Sequence, residues 1–342
     1  GDRRRLLAAG VAGGAAVLAL LVKQNMADGV VFAAVVWFVA WRSGGLAGRR
    51  LPGLVAAAAA GGVLTGTLLA AWTLLHGSSL GGVYFAMYPF RVRAAQVIAA
   101  GASAATGQRL GALLMAWLVS GLPLLALALA AAVLRGRLRG PVGWGLLAVL
   151  CFDLASVLTG GSFWHHYLVQ LVTPTGIAAG LLVRHRVRGA RVLGLLVVAV
   201  ALVAWTGSLR ASQADVGTAV GLSVRQASHA HDTLVSAFGD ATVVLAGGLR
   251  SPYPFLWSLP ARTLDRHFGL FESLLLSHRS PTWVVVEGHR TLDHLRTDAV
   301  GPALSQRYHL VAQLCGREVY LRDGVHRPAP RRPASCRASA IG

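Results

Sequence analysis

The sequence predicts a polytopic α-helical membrane domain (residues 1–209, about seven transmembrane helices), then a small extracytoplasmic α/β domain (210–325) and a disordered tail (326–342). Three observations predict it. The 342 residues are 55% hydrophobic and only 13% charged, with a mean hydropathy of +0.58, which is membrane-protein composition and excludes an ordinary soluble enzyme. Ten of the 13 acidic residues lie beyond Leu209, where the apolar fraction also falls. The net charge of +19 first suggests nucleic-acid binding, but it is concentrated among apolar runs: residues 1–209 carry 17 basic and 3 acidic side chains, residues 210–342 carry 15 and 10.

A helix needs roughly 20 mostly apolar residues to cross a bilayer. Seven segments qualify or come close: Leu6–Val22, Gly29–Trp41, Leu51–Leu75, Leu110–Leu134, Val142–Leu158, Tyr167–Val183 and Val192–Leu209. The second is short and follows the first after only Lys23 to Asp28, so the two are expected to form a tight re-entering pair. Short cytoplasmic loops carry the Arg and Lys excess. Alternate loops here hold 13 Arg (Arg3, Arg4, Arg5; Arg42, Arg49, Arg50; Arg135, Arg137, Arg139; Arg184, Arg186, Arg188, Arg191), and the loops between them hold four basic residues, Lys23, Arg91, Arg93 and Arg109. That alternation predicts a cytoplasmic start and an extracytoplasmic C-terminal domain, in a multi-pass protein of the cell membrane. It also removes the nucleic-acid reading, because no basic stripe with interleaved aromatics remains. The Arg-rich start followed by an apolar run imitates a secretory signal, but no good small-x-small site precedes Asp28 and another apolar segment follows at once. The chain opens on Gly1 rather than Met, and we expect an N-terminal portion to be missing.

Beyond Leu209 the pattern predicts a helix over Val220–Phe238, a buried strand over Ala241–Ala246, a helix over Pro260–Ser277 and a strand over Thr282–Glu287. A polar helical stretch near Leu292–Leu304 and two strands, His309–Leu314 and Glu318–Arg322, about a Cys315-Gly316 turn complete a small α/β sandwich. Gly247-Gly248 reads as a turn, since the stretch lacks a dinucleotide fingerprint. His229 and His231, two apart on a predicted helix, face different sides, and Asp293 and His294 read as solvated surface. Cys151, Cys315 and Cys336 are too few for a disulfide framework and lack zinc spacing. No metal or resident cofactor is implied.

Polar groups at or inside the membrane are the productive places to look for chemistry. Lys23 is the only Lys beside 31 Arg. It closes the first apolar run with Asp28 just beyond, and is either a snorkelling interface residue or a cation for an anionic head group. The juxtamembrane loop 76–109 contains Val83-Tyr-Phe-Ala-Met-Tyr-Pro-Phe-Arg-Val-Arg, predicting an amphipathic helix around Leu80–Tyr88 with Arg91 and Arg93 at head-group level. Gly160-Gly-Ser-Phe-Trp-His-His-Tyr opens the sixth crossing. Trp164 and Tyr167 suit an aromatic belt, whereas His165 and His166 with Tyr167 offer donors to a phosphate or a sugar hydroxyl. Asp153, eleven residues into a crossing, must be protonated or paired, for instance with Ser156 or a neighbouring helix.

Three stretches in order carry a family resemblance: Gly14-Ala-Ala-Val-Leu-Ala-Leu-Leu-Val-Lys23-Gln, Tyr84-Phe-Ala-Met-Tyr-Pro-Phe-Arg91, and His166-Tyr167-Leu-Val-Gln-Leu-Val-Thr-Pro174. With the strand pair Tyr308-His-Leu-Val and Glu318-Val-Tyr320-Leu-Arg322, they resemble the polytopic sugar transferases of the GT-C class, in particular the bacterial protein O-mannosyltransferase-like and lipid A aminoarabinose transferase-like group. The resemblance implies transfer of a sugar, mannose among the candidates, from a polyprenyl-phosphate carrier to an extracytoplasmic glycan, lipid or protein acceptor. It implies that Lys23, Arg91 and Tyr167 bind the donor phosphate, with His165, His166, Arg93 and Asp28 as further candidates for sugar or acceptor contacts. The family's general base, an Asp in the first outer loop, has no counterpart in these residues, and the position of Asp28 does not match it. The catalytic residues are therefore left unassigned, and the expected alternatives are a polyprenyl-lipid transporter or a non-catalytic membrane subunit of cell-envelope assembly.

Overall fold

A computed structural model of the chain describes residues 2–23, 25–45, 48, 50–100, 104–210, 216–237, 240–287, 300–334 and 336. The chain divides into two compact units, Gly1–Leu209 and Arg210–Gly342.

The first unit is helical. Its elements are α1 (Asp2–Val22), α2 (Asp28–Arg42), α3 (Leu51–Leu75), α4 (Leu80–Met87), α5 (Pro89–Ala100), α6 (Ala104–Val119), α7 (Leu122–Leu134), α8 (Pro141–Thr159), a 3-10 turn (His165–Leu168), α9 (Val169–Arg184) and α10 (Ala190–Arg210). Among the described residues four helical stretches are long and apolar enough to cross a membrane: α1, α3, α8, and the 3-10 turn continued by α9. A fifth arises if the bent pair α6 and α7 counts as one span. No residue of α3 is buried although its sequence is almost wholly apolar. Leu7, Val22, Leu75 and Val192 are likewise exposed, an outward apolar surface that water would penalise.

Two corrections concern the apolar segments. Leu110–Leu134, expected as one span, is broken at Ser120 and Gly121, with α6 and α7 at 62°. Gly121 adopts φ +74 and Pro123 follows in the first turn of α7, so the helical hydrogen-bond ladder cannot run through. The expected tight pair α1 and α2 instead find their main partners elsewhere. On α1, Gly10 and Gly13 meet Ala57, Ala58 and Gly61 of α3 so closely that a Cβ on Gly13 would lie 2.0 Å from the Ala58 carbonyl oxygen. Helix α2 seats Phe32 and Val36 over Gly145 of α8, where a Cβ would come within 2.9 and 2.7 Å of them. Small residues thus bring backbones together at both contacts. Helices α7, α8 and α9 share a buried core that includes Leu129, Val133, Leu146, Leu150, Leu171 and Leu182.

The second unit contains α11 (Val216–Ala227), β1 (Leu234–Ala237), α12 (Ala241–Gly247), α13 (Ser258–Leu264), α14 (Gly269–Leu276), β2 (Trp283–Glu287), α15 (Val300–Arg307), β3 (Tyr308–Leu314) and β4 (Arg317–Arg322). The sheet order is β1-β2-β4-β3. Strand β1 runs parallel to β2, and the other pairs are antiparallel. Alternate residues of β2 feed two cores: Val284 and Val286 pack with Phe271, Leu275 and Leu304, and Trp283 and Val285 pack with Val220, Val224 and Val243. A sheet covered by helices on both faces results.

Here too the sequence reading needs correction. The helix expected over Val220–Phe238 ends at Ala227, where Asp232 accepts the His229 N–H at 2.8 Å and turns the chain into β1. His229 and His231 therefore lie outside the helix. Ala241–Ala246 is helix, not strand: Asp240 caps it by accepting the Thr242 N–H at 3.0 Å, and Gly248 closes it at φ +61. The helix expected over Pro260–Ser277 is two, because Phe268 takes φ +53 and Asp265 accepts the Leu270 and Phe271 N–H groups to start α14. Asp293, His294 and the beginning of the stretch Leu292–Leu304 lie outside the described residues. The tail from His326 is tied down over its described part. Arg327 pairs with Asp232 at 2.8 Å, the Arg331 carbonyl accepts the Ser223 hydroxyl, and Cys336 forms a disulfide with Cys315. Three cysteines, too few for a disulfide framework, gave no sign of this single pairing. Its basis is that Cys315, in the β3–β4 turn at φ +52, is approached by a returning tail whose path depends on the fold.

Candidate functional site

Two loops and one helix of the helical unit contribute to one place. The first follows α1. The Lys23 N–H still completes the helix by bonding the Ala19 carbonyl at 3.0 Å, and its own carbonyl accepts the Met26 N–H at 2.9 Å. This tight turn leaves the Lys23 side chain at the helix end, half-buried. The second joins α8 to the 3-10 turn, and it bends through Gly161 at φ +70 and Phe163 at φ +52. Arg109 fixes it by donating to the Ser162 carbonyl and the Thr106 hydroxyl, both at 3.1 Å, with its guanidinium 5.1 Å over the Trp164 ring. The third is α5, which carries Arg91 and Arg93.

The Lys23 ammonium stands 4.3 Å from the centroid of the Tyr167 ring, within cation–π distance. Burial lowers the Lys23 pKa below the ordinary lysine value, and the Arg91 charge lowers it further. Like charges disfavour one another's charged form, so the Arg91 charge acts on Lys23 in the same direction as burial. Lys23 and Tyr167 are thus in contact, and Arg91 acts on Lys23 through its charge. The remaining candidates are placed differently. His166 packs edge-on against Tyr167, ring centroids 4.8 Å apart, and His165 is exposed beside it. Arg93 turns away to sit 5.5 Å over Phe85.

Behind this cluster lies a polar nest which sequence reading only partly anticipated. Asp153 on α8 is wholly buried. Its Oδ1 accepts the Gln170 amide at 2.7 Å, and the same amide donates to the Asn25 carbonyl at 3.1 Å. Asn25 in turn donates to the Ser156 hydroxyl at 2.7 Å and to Gln170 Oε1 at 3.1 Å. Ser156, expected as a partner of Asp153, serves Asn25 instead. The second carboxyl is that of Asp28 at the start of α2, whose charge acts on Asp153. Asp28 Oδ1 and Asp153 Oδ2 are buried and accept no hydrogen bond.

Asn25 and Gln170 were not singled out from the sequence, although each carried a signal. Asn25 is two residues from the lone Lys, and Gln170 is one helical turn beyond Tyr167 in an otherwise apolar stretch. Between α1, α2 and α3 runs an apolar cleft of about 960 Å³, lined by Gly13, Val17, Gly29, Trp37, Phe38 and Val63 among others. Gly29, one of its walls, directly follows Asp28. Among the described residues no three of His, Cys, Asp and Glu converge as a metal site would require. Comparison of the chain with family models, with curated proteins and with solved structures returned no match.

Proposed function

We propose that the chain is an integral-membrane glycosyltransferase of GT-C type that moves a sugar from a polyprenyl-phosphate carrier to an acceptor outside the membrane. The observation that carries this reading is the Lys23 ammonium held over the Tyr167 ring, with the Arg91 charge acting on Lys23. Two cations and a phenol hydroxyl match the oxygens of a phosphate. As the bond from the anomeric carbon to the phosphate breaks, negative charge grows on the leaving oxygen, and fixed cations in a partly desolvated place stabilise it. The apolar cleft, whose lining includes Gly29, offers an isoprenoid chain a dry bed. The exposed apolar helices and the Arg distribution favour a membrane setting, with Lys23, Arg91 and Tyr167 at its outer face. The Cys315–Cys336 disulfide suits an oxidising, extracytoplasmic compartment for the second unit.

The test is transfer from radiolabelled polyprenyl-phosphate sugars by the protein in membranes. Lys23→Ala and Arg91→Ala should each weaken donor binding; unchanged transfer in both would remove the phosphate site. The bend of 62° between α6 and α7 favours a second reading, since broken helices are common in transporters. Accumulation of the lipid carrier in vesicles with no covalent product would select a lipid-handling role.

A further inference from the structure

We infer that the cleft between the end of α9 and the start of α10 binds a phosphate group, held by Arg186 and Arg191. It lies at the opposite end of α9 from Tyr167, and its occupancy does not depend on the function proposed above.

The turn reads Arg184-His-Arg-Val-Arg-Gly-Ala-Arg191, four arginines and no acid. The three acids of residues 1–209 sit on other helices, Asp2 on α1, Asp28 on α2 and Asp153 on α8. Among the described residues none of the four arginines makes an ion pair or a side-chain hydrogen bond. Two of them line a cleft of about 310 Å³ whose other walls are Val183, Val187, Gly189 and Val192. A guanidinium presents paired N–H donors that match two oxygens of a phosphate, and the three valines suit the apolar part of an amphiphile.

The backbone singles out Arg186. Helix α9 closes with the Arg186 N–H bonded to the Val183 carbonyl and the Val187 N–H bonded to the Leu182 carbonyl, both at 3.0 Å. Arg186 itself stands at φ +51, the left-handed position of a helix-ending motif that is usually glycine. Helix α3 ends in the same way with Gly77 there: Gly77 bonds Leu74 and Ser78 bonds Thr73, both at 3.1 Å, and Gly77 has φ +74. Helix α7 likewise ends on Gly136 at φ +87. In that conformation a Cβ crowds the following carbonyl oxygen, so Arg186 is strained where the chain elsewhere uses glycine. Orientation across a membrane does not require this, because Arg184, Arg188 and Arg191 already make the turn positive. What the strained residue adds is a guanidinium in the wall of the cleft, and strain retained at one residue is typical of a binding position.

The phosphate can belong to an anionic lipid head group or to a solute. Basic pockets between membrane helices hold lipid head groups of this kind, and the valine lining favours that source. The full chain, purified in detergent, is titrated with phosphatidylglycerol, phosphatidylcholine and inorganic phosphate. Bound lipid is counted by native mass spectrometry, and stability is read as a thermal midpoint. Phosphatidylglycerol should bind and raise the midpoint, and phosphatidylcholine, whose own ammonium neutralises its phosphate, should bind more weakly. Arg186→Ala and Arg191→Ala should each weaken phosphatidylglycerol binding about tenfold or more, as for lost hydrogen bonds to a charged group. Arg188→Ala removes the same charge from the same turn outside the cleft lining and should leave the affinity near native. Arg186→Gly should raise the midpoint of the ligand-free protein, by relieving the left-handed residue, and yet lose the binding. Displacement of the lipid by inorganic phosphate would assign the site to a phosphate in solution; binding that inorganic phosphate does not displace would assign it to a lipid. The site is overturned if neither probe binds, if Arg188→Ala costs as much as Arg186→Ala, or if Arg186→Gly binds like the native protein. A lower midpoint in ligand-free Arg186→Gly would show that the side chain serves the fold, and overturns it equally.

Discussion

Lys23 holds its ammonium 4.3 Å from the centre of the Tyr167 ring, joining the turn after α1 to the 3-10 turn before α9. The ring and the hydroxyl of Tyr167 can be separated by mutation. Tyr167→Phe keeps the cation–π contact and should cost little beyond one hydrogen bond to the phosphate. Tyr167→Ala removes the face as well and should raise the donor Kd by a further factor of about 2–30, the equivalent of roughly 0.5–2 kcal/mol. Equilibrium binding of a fluorescent polyprenyl phosphate to the purified protein measures both, and equal affinities in the two variants would show that the ring face contributes nothing.

Burial, with the Arg91 charge added, depresses the Lys23 pKa below the ordinary value of 10.5. The charged ammonium is therefore lost as pH rises through that lowered value, earlier than for an exposed lysine. Donor affinity should decline on the alkaline side at a pH where free lysine is still protonated. Lys23→Arg, which stays charged, should extend the alkaline limit; a pH–affinity profile identical in both forms would exclude Lys23 as the titrating group.

Packing of α1 on α3 depends on the absence of side chains. A Cβ on Gly61 would lie 1.9 Å from the Gly10 carbonyl oxygen, and that oxygen belongs to the backbone and cannot swing aside. Gly61→Ala should force the two helices apart and lower the thermal stability of the helical unit by about 1–3 kcal/mol. Gly66→Ala on the same helix has open space around it and should leave stability near the native value. Circular-dichroism melts in detergent would compare the two, and equal midpoints would contradict the close approach.

Asp232 is mostly buried, which by itself would raise its pKa, but Arg327 and the His229 N–H outweigh burial and hold it below the ordinary carboxylate value. A depressed carboxylate contributes stability above its unfolded pKa, and that contribution fades as pH falls through the folded value. Arg327→Ala should therefore narrow the acid range over which the second unit stays folded and have little effect on the helical unit. Tryptophan fluorescence of Trp283, buried in that unit, followed against pH reports the difference.

Reduction of the Cys315–Cys336 disulfide, which closes a separation of 21 residues, should cost about 3 kcal/mol by the loop-entropy relation. Thermal unfolding of the second unit with and without reductant measures it. A midpoint indifferent to reductant would mean that the tail is held by Arg327 and Ser223 alone.

Much of the architecture was legible where local signals were strong. The apolar runs at Leu51–Leu75 and Val142–Leu158 are long and uniform, and the Cys315-Gly316 turn between two alternating strands has a conspicuous pattern. Where local pattern is ambiguous, tertiary context decided. Ala241–Ala246 is a short apolar run that suits a buried strand or a buried helix equally, and Asp240 with Gly248 tipped it to helix. Gly121 interrupts Leu110–Leu134 with a single left-handed residue that hydropathy does not see. At the site, Lys23, Arg91 and Tyr167 stood out as polar groups at the ends of apolar runs. The bridges from Asn25 to Ser156 and Gln170 join residues more than a hundred positions apart, which spacing cannot disclose. The Cys315–Cys336 pair, 21 positions apart, escaped because three cysteines form no framework pattern and the path of the returning tail depends on the fold.

The disulfide also has a mechanical meaning. Strand β4 lies wholly between the two cysteines, with β2 on one side and β3 on the other. Tension applied to the chain beyond Cys336 does not run back through β4. It passes across the sulfur bridge into Cys315 and loads the end of β3, the strand at the sheet's edge. Pulled from that direction the bridge acts as a shunt, so β4 stays slack inside its covalent loop while force reaches the sheet from the rim.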